Sequence, residues 1–221
     1  MAHIRYAGPE AVLDALVDRY PILAPQKEDF RALDELIRQS FAAGGKLLVC
    51  GNGGSAADAL HIVGELMKSF TLPRPIDAEA ARLLSERFGQ EGERLAASLE
   101  GTLPAVALVE NSALSTALQN DVSGGISFAQ QVYGLGRPGD VLLCISTSGN
   151  AANAVAAAMV AHARGMRVAL LSGGTGGKLR PLCDVSVVVG VSETFMVQEL
   201  HLPVYHALCL MLEYAFFPPA Q

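Results

Sequence analysis

The chain has 221 residues, 51% of them hydrophobic and 17% charged, with 22 Gly and 11 Pro. That length suits one domain with an elaboration, and the composition excludes a disordered, collagen-like or coiled-coil chain. With 16 Lys and Arg against 22 Asp and Glu, the formal charge is −6. No basic footprint for nucleic acid exists, so an anionic ligand has to be held by local geometry.

In chain order, the segment 1–10 carries Arg5 and Glu10 without the apolar run of a signal peptide. Two amphipathic helices are expected at 9–20, with Val12, Leu13, Leu16 and Val17, and at 27–43, with Phe30, Leu33, Leu36, Ile37 and Phe41. Five short, nearly continuous apolar runs at 46–50, 105–109, 141–145, 167–171 and 185–189 read as strands buried on both faces. Helical patterns at 55–70, 126–133 and 151–164 lie between them. Alternation of this kind implies βαβ units, hence an α/β fold with a three-layer, open, doubly wound five-stranded parallel sheet. We expect one domain over 1–221, with a helical segment at 1–45 and a helical insertion at 71–104. The insertion follows Pro73 and Pro75 and sets Leu83, Leu84 and Phe88 at helical spacing, as one inserted helix. It is expected to be a packing element, with a lid or an oligomer contact as the alternative.

The closing pattern at 193–217 is a long helix. Its apolar part, 202–217, spans 16 residues and is interrupted by Pro203, His206 and Glu213, short of the roughly 20 clean residues of a membrane span. We therefore expect no membrane span and a cytoplasmic protein. Cys50, Cys144, Cys183 and Cys209 form no CxxC pair and read as reduced core residues.

The chemistry concentrates at strand ends. The first strand runs into Gly51-Asn52-Gly53-Gly54-Ser55-Ala56, where a helix begins, so free backbone N–H groups and a hydroxyl stand at a helix N-terminus. Such a turn is an anion cradle. It also fits a GxGxxA dinucleotide fingerprint, but the acidic residue about 20 positions on that this reading needs is missing. The third strand ends in Ser146-Thr147-Ser148-Gly149-Asn150, again before a helix. Two such loops at carboxyl ends of strands make a cradle for a phosphate ester without a cation. Further along, His61 and Glu65 stand at i and i+4 on one helix face, and Gln198 and His206 lie within about 80° of one another on the last helix. Two imidazoles, a carboxylate and an amide oxygen suit zinc with an open position.

Gly51-Asn52-Gly53-Gly54-Ser55, His61 with Glu65, Asn120-Asp121, Ser146-Thr147-Ser148-Gly149-Asn150, Gly176-Gly177-Lys178 and Gln198 with His206 together resemble the phosphoheptose isomerases of the sugar isomerase (SIS) superfamily. The resemblance implies a flavodoxin-like sheet and interconversion of sedoheptulose 7-phosphate and D-glycero-D-manno-heptose 7-phosphate through an enediol. It also implies zinc, and a homotetramer with sites between subunits. Carried over residue by residue, it gives phosphate and hydroxyl contacts to Asn52, Gly53, Gly54, Ser55, Ser146, Thr147 and Ser148, with Asn120, Asp121 and Gln198 also contacting substrate. It gives the metal to His61, Glu65, Gln198 and His206, and acid/base roles to Glu65 and His206. The same two residues thus stand as ligands, acid/base groups or both. Alternatives are an isomerase of another ketose phosphate and a non-catalytic SIS protein that binds a phosphosugar or a partner. The chain departs from the family at Ala151, where a further Ser is usual, at Phe195, often Asp, and at Ser69, often Arg. Pro203 between Gln198 and His206 is expected to kink the last helix and to endanger the metal geometry if His206 swings away.

Overall fold

The computed structural model describes residues 5–122 and 125–219; of the reading at 1–10, residues 1–4 lie outside the described part. Five parallel strands form one sheet: β1 (Leu47–Gly51), β2 (Ala105–Ala107), β3 (Val141–Ser146), β4 (Arg167–Ser172) and β5 (Val185–Val188), in the spatial order β2-β1-β3-β4-β5. The chain leaves β1 for β2 on one side and returns to β3 on the other. The order in which strands are added therefore reverses between β1 and β3, where open α/β sheets bind ligands beyond the carboxyl ends of the strands.

Strand periodicity sorts the core into two layers. Leu47, Val49, Val141, Leu143, Ile145, Ala169 and Leu171 face α1 (Pro9–Arg19), α2 (Lys27–Ala42), α3 (Gly54–Met67) and the last helix, α8 (Thr194–Phe216). Leu48, Cys50, Leu142, Cys144, Val168 and Leu170 face α6 (Ser127–Leu135) and the alanine-rich α7 (Ala152–Ala163). All four cysteines are free, and Cys50, Cys144 and Cys209 are buried.

Three elements differ from the sequence reading. The insertion is not one helix: α4 (Ala78–Ser98) breaks at Gly89, with φ 56° and ψ −135°, into two arms that pack back to back. A Cβ at Gly92 would come within 1.9 Å of the Leu84 carbonyl oxygen, which is how close the arms approach. A helix without a strong apolar stripe, α5 (Ser112–Asp121), follows β2 and has no buried residue. Finally, α8 runs through Pro203 as one helix. Pro203 cannot donate to the Glu199 carbonyl, but Glu199 is exposed, so water can satisfy that oxygen and the helix stays in register. By length and composition alone α8 could cross a membrane. Here Val197, His201, Val204, Tyr205, Leu208 and Leu212 bury it in the core instead.

His201 is fully buried and both its ring nitrogens lack a hydrogen-bond partner. Burial pushes its pKa down to about 4. The folded state then holds it neutral while the unfolded state, with a pKa near 6.5, takes up a proton. Stability is accordingly expected to be full above pH 6.5 and to fall by up to about 3 kcal/mol as the pH drops towards 4. Urea unfolding followed from pH 7 to 4 should show that slope, and His201→Phe should flatten it.

Candidate active site

Asn52, Gly53, Gly54 and Ser55 from the β1–α3 turn and Ser146, Thr147, Ser148, Asn150 and Ala151 from the β3–α7 turn line one cavity of about 500 Å³, closed by Thr194 and Gln198 of α8. None of these residues carries a charge. Neither α3 nor α7 has a side-chain N-cap; Ser55 and Ala56 N–H already donate to the Asn52 and Gly53 carbonyls and Ala154 N–H to Asn153 Oδ1, so the N–H groups of Gly54, Ala152 and Asn153 are left for an anion where the two positive helix ends converge on the cavity. An anion can be held here without Lys or Arg. Gly53 begins α3 at φ +56°, a backbone that favours glycine.

The two turns are braced from outside. Asn52 and Asn153 exchange reciprocal side-chain amide hydrogen bonds, both 2.9 Å. Asn153, in the first turn of α7, escaped the sequence reading; an Asn at an otherwise uncapped helix start beside a cradle is the signal that could have found it. The Asn150 carboxamide oxygen accepts from the Lys178 N–H at 3.1 Å and the Gly149 carbonyl accepts from Leu179 N–H at 2.9 Å, tying the second turn to the 174–179 loop. At Gly149, φ is +67° and a Cβ would lie 1.9 Å from the Gly176 carbonyl oxygen. Gly149→Ala is expected to push the two loops apart, raising KM for a phosphorylated substrate at least about tenfold at a stability cost of about 1–3 kcal/mol. Steady-state kinetics and a thermal melt check both numbers.

The second half of the site lies further along the same two helices. The His61 Nε2 is 3.3 Å from Glu65 Oε1, and the His61 and His206 rings meet edge to face with centroids 4.9 Å apart. Phe70 covers His206 at 5.6 Å. The remaining Glu65 oxygen accepts from Lys68 Nζ at 2.9 Å. Burial, reinforced by the neighbouring His61, lowers the His206 pKa. Beneath the pair, burial raises the Asp58 carboxyl to about 6 against the opposing effect of the Tyr205 hydroxyl.

The expected residues are thus gathered as two groups. Asn52 to Ser55, Ser146 to Ser148 and Gln198 form the cradle, with the Gln198 amide packed over Gly54. His61, Glu65 and His206 form the cluster, and Pro203 has not moved His206 from it. Asn120 and Asp121 are not brought in: they end α5, exposed and hydrogen-bonded to one another at 2.7 Å, outside the cradle cavity. Phe195 and Met196 stand exposed near the cradle's rim.

Among the described residues no set of three His, Cys, Asp or Glu side chains is already drawn together around one point. The pair nevertheless suits a metal. Tetrahedral zinc with bonds of about 2.0–2.2 Å sets its donors about 3.3–3.5 Å apart, and His61 Nε2 and Glu65 Oε1 stand at 3.3 Å. His206 Nε2 is buried with no hydrogen-bond partner, an unmet polar atom that a cation bound at the cluster would satisfy.

Residues 15–101 and 81–173 match the SIS domain family. A phosphoheptose isomerase of Thiobacillus denitrificans is 38% identical over 211 residues, 94% of this chain and 92% of its own length. The chain belongs to the phosphoheptose isomerase family. The solved phosphoheptose isomerase of Neisseria gonorrhoeae superposes with a TM-score of 0.71 at 34% identity, covering 88% of this chain and 90% of that one. That of Francisella tularensis gives 0.69 at 30%, covering 84% and 85%. As a family member the chain is a sugar-phosphate isomerase, and its five-stranded parallel sheet is the SIS sheet.

Proposed function

We propose that the chain interconverts sedoheptulose 7-phosphate and D-glycero-D-manno-heptose 7-phosphate, with zinc held by His61, Glu65, Gln198 and His206, as a cytoplasmic homotetramer. One observation carries this reading. An uncharged anion cradle and a carboxylate–imidazole cluster lie on the same pair of helices, α3 and α8. From Ser55 to His61 α3 advances about 9 Å, comparable with an extended seven-carbon sugar, and Glu65, although a turn further on, sets its Oε1 3.3 Å from His61 Nε2. Phosphate in the cradle would then bring the carbonyl end of such a sugar to Glu65 and His206.

Ketose–aldose conversion moves a proton between C1 and C2 and shifts charge onto the carbonyl oxygen. The Glu65 carboxylate would take the proton from C1, exchange it in part with solvent, and deliver a proton to C2. The half-buried His206 imidazole would carry the hydroxyl proton between the two oxygens. Ser55, Ser146 and Ser148, with the N–H groups of Gly54, Ala152 and Asn153, would hold the phosphate and fix the register of the carbon chain against Glu65. Zinc, when bound, supplies a Lewis acid for the carbonyl oxygen. The tetramer is supported by Leu60, Met67, Met196 and Leu202, apolar side chains 38–44% exposed on the two helices that carry the cluster.

The test compares sedoheptulose 7-phosphate with unphosphorylated sedoheptulose. We expect turnover of the first and a kcat/KM at least about a thousandfold lower for the second, the loss of several charge-assisted hydrogen bonds. Equal rates would remove the cradle from the reaction, and turnover confined to another ketose phosphate would replace the substrate.

A further inference from the structure

No hydrogen bond holds His206 at Nε2, which is buried without a partner. Rings surround it instead. His61 meets it edge to face with centroids 4.9 Å apart, Tyr205 at 5.0 Å with the planes 83° apart, and Phe70 leans on it at 5.6 Å with the planes 51° apart. Aromatic pairs at such separations prefer edge-on and tilted arrangements, so three of them around one imidazole define its plane.

The three walls are anchored differently. His61 and Tyr205 steady one another: the Tyr205 hydroxyl lies 3.0 Å from Nδ1 of His61, and the two rings pack edge to face at 5.4 Å. Both stand on the helices that carry the cluster, α3 and α8. Phe70 stands on neither. It lies half-buried in the bend that follows α3, outside any helix or strand, and its place is set by a distant side chain. The Phe70 N–H donates to Glu213 Oε1 at 2.8 Å. Glu213 follows His206 on α8 by seven residues, two turns, and returns to within about 20° of the same line along the helix. It is fully buried, and Arg74 Nε donates to the same oxygen at 2.7 Å, so the carboxylate cannot swing away without leaving a buried cation unpaired. The backbone of Phe70 is therefore tied to the helix that bears His206.

We propose that Phe70, anchored through its N–H to Glu213, is a positioning residue that closes an aromatic cage around His206 and holds the imidazole in the orientation used for proton transfer. The cage is a matter of geometry alone; its use in turnover rests on the isomerase reading given above. Without the third wall the imidazole gains freedom about its broad terminal torsion. A misplaced acid/base group costs rate, about a hundredfold for an error of about 1 Å. Phe70 does not line the phosphate cradle, so its loss should leave substrate binding nearly unchanged.

The experiment reads the ring and the rate separately. Side-chain changes at Phe70 leave its N–H bond to Glu213 in place: Phe70→Leu keeps an apolar side chain without the ring, and Phe70→Tyr keeps the ring. Ordering of the His206 ring is measured by carbon-13 relaxation in metal-free protein labelled at histidine, with His206→Asn to assign the signal. Steady-state kinetics use metal-replete enzyme and sedoheptulose 7-phosphate. We expect a rigid His206 ring in the parent and in Phe70→Tyr. Phe70→Leu should show a mobile ring, a kcat about 10–100-fold lower and a KM within a few-fold of the parent's. A merely structural Phe70 would move the melting temperature and spare the kcat of the folded enzyme. A rigid His206 ring in Phe70→Leu, a parent-like kcat there, a loss confined to KM, or a Phe70→Tyr as impaired as Phe70→Leu would overturn the proposal. A parent that turns over no ketose phosphate would sink the isomerase reading, and the cage would then stand or fall on the ring order in Phe70→Leu.

Discussion

Glu213→Leu is expected to lower the stability of the folded protein by about 3–5 kcal/mol, the cost of removing one partner from a buried ion pair. Glu213 and Arg74 are both fully buried and meet at 2.7 Å. The carboxylate also accepts from the backbone N–H groups of Phe70 at 2.8 Å, Thr71 at 2.9 Å and Leu72 at 3.2 Å, and from the Thr71 hydroxyl at 2.8 Å. The guanidinium donates to the carbonyls of Leu66 at 2.9 Å and Glu65 at 3.2 Å, the open C-terminal end of α3, and stacks on Phe217. Leucine would fit the volume and leave a buried cation and three backbone donors without partners. Burial alone would raise the Glu213 pKa, but the donors from Phe70, Thr71 and Arg74 outweigh it and the pKa is lowered. A depressed carboxylate pKa contributes stability that is complete above the unfolded value near 4.3 and is lost as the pH falls through the folded value. The parent should therefore lose stability below about pH 4.3, and Glu213→Gln should lose part of that dependence. Urea titrations over that range measure both. Arg74 bonds the carbonyl of Glu65 itself, so a milder variant, Arg74→Lys, is expected to disturb the cluster before it unfolds the chain.

Glu65→Gln is expected to reduce kcat for the isomerisation by about 10²–10⁴-fold, the usual contribution of a positioned general base. The amide keeps the shape of the carboxylate and can still accept from Lys68 at one oxygen, but it cannot take a proton from carbon. The cradle lies at the start of α3 and is untouched, so KM should stay within a few-fold. A fall in kcat without a matching rise in KM marks an interaction made in the transition state. Should KM rise and kcat stand, Glu65 binds rather than reacts.

The sheet and the cradle were legible because their signals are local. Val141 to Ile145 is an unbroken apolar run ending in Ser146, and the Gly51–Ser55 turn announces both a strand end and a helix start within five residues. His61 and Glu65 share a helix face by spacing alone. What escaped depends on residues far apart in the chain. Arg74 and Glu213 are separated by 139 positions, Tyr205 and His61 by 144, and Asn52 and Asn153 by 101; no period connects such pairs. The break at Gly89 was hidden because strong helix formers stand on both sides, Leu83 and Leu84 before it and Glu93 to Ala97 after it, and neither Gly89 nor Gly92 by itself ends a helix. Pro203 was overread for the opposite reason. A proline removes one hydrogen bond, and the helix continues past it with His206 still beside His61.

The central claim, that this chain is an isomerase working through Glu65 on a phosphate held between β1 and β3, is tested most directly by incubating it with sedoheptulose 7-phosphate in D2O and following the sugar by NMR. The account predicts an aldoheptose 7-phosphate carrying deuterium at C2, deuterium at C1 of the recovered ketose, and loss of both in Glu65→Gln. Metal-replete protein that leaves the ketose unchanged, or turnover that Glu65→Gln leaves intact, would contradict it.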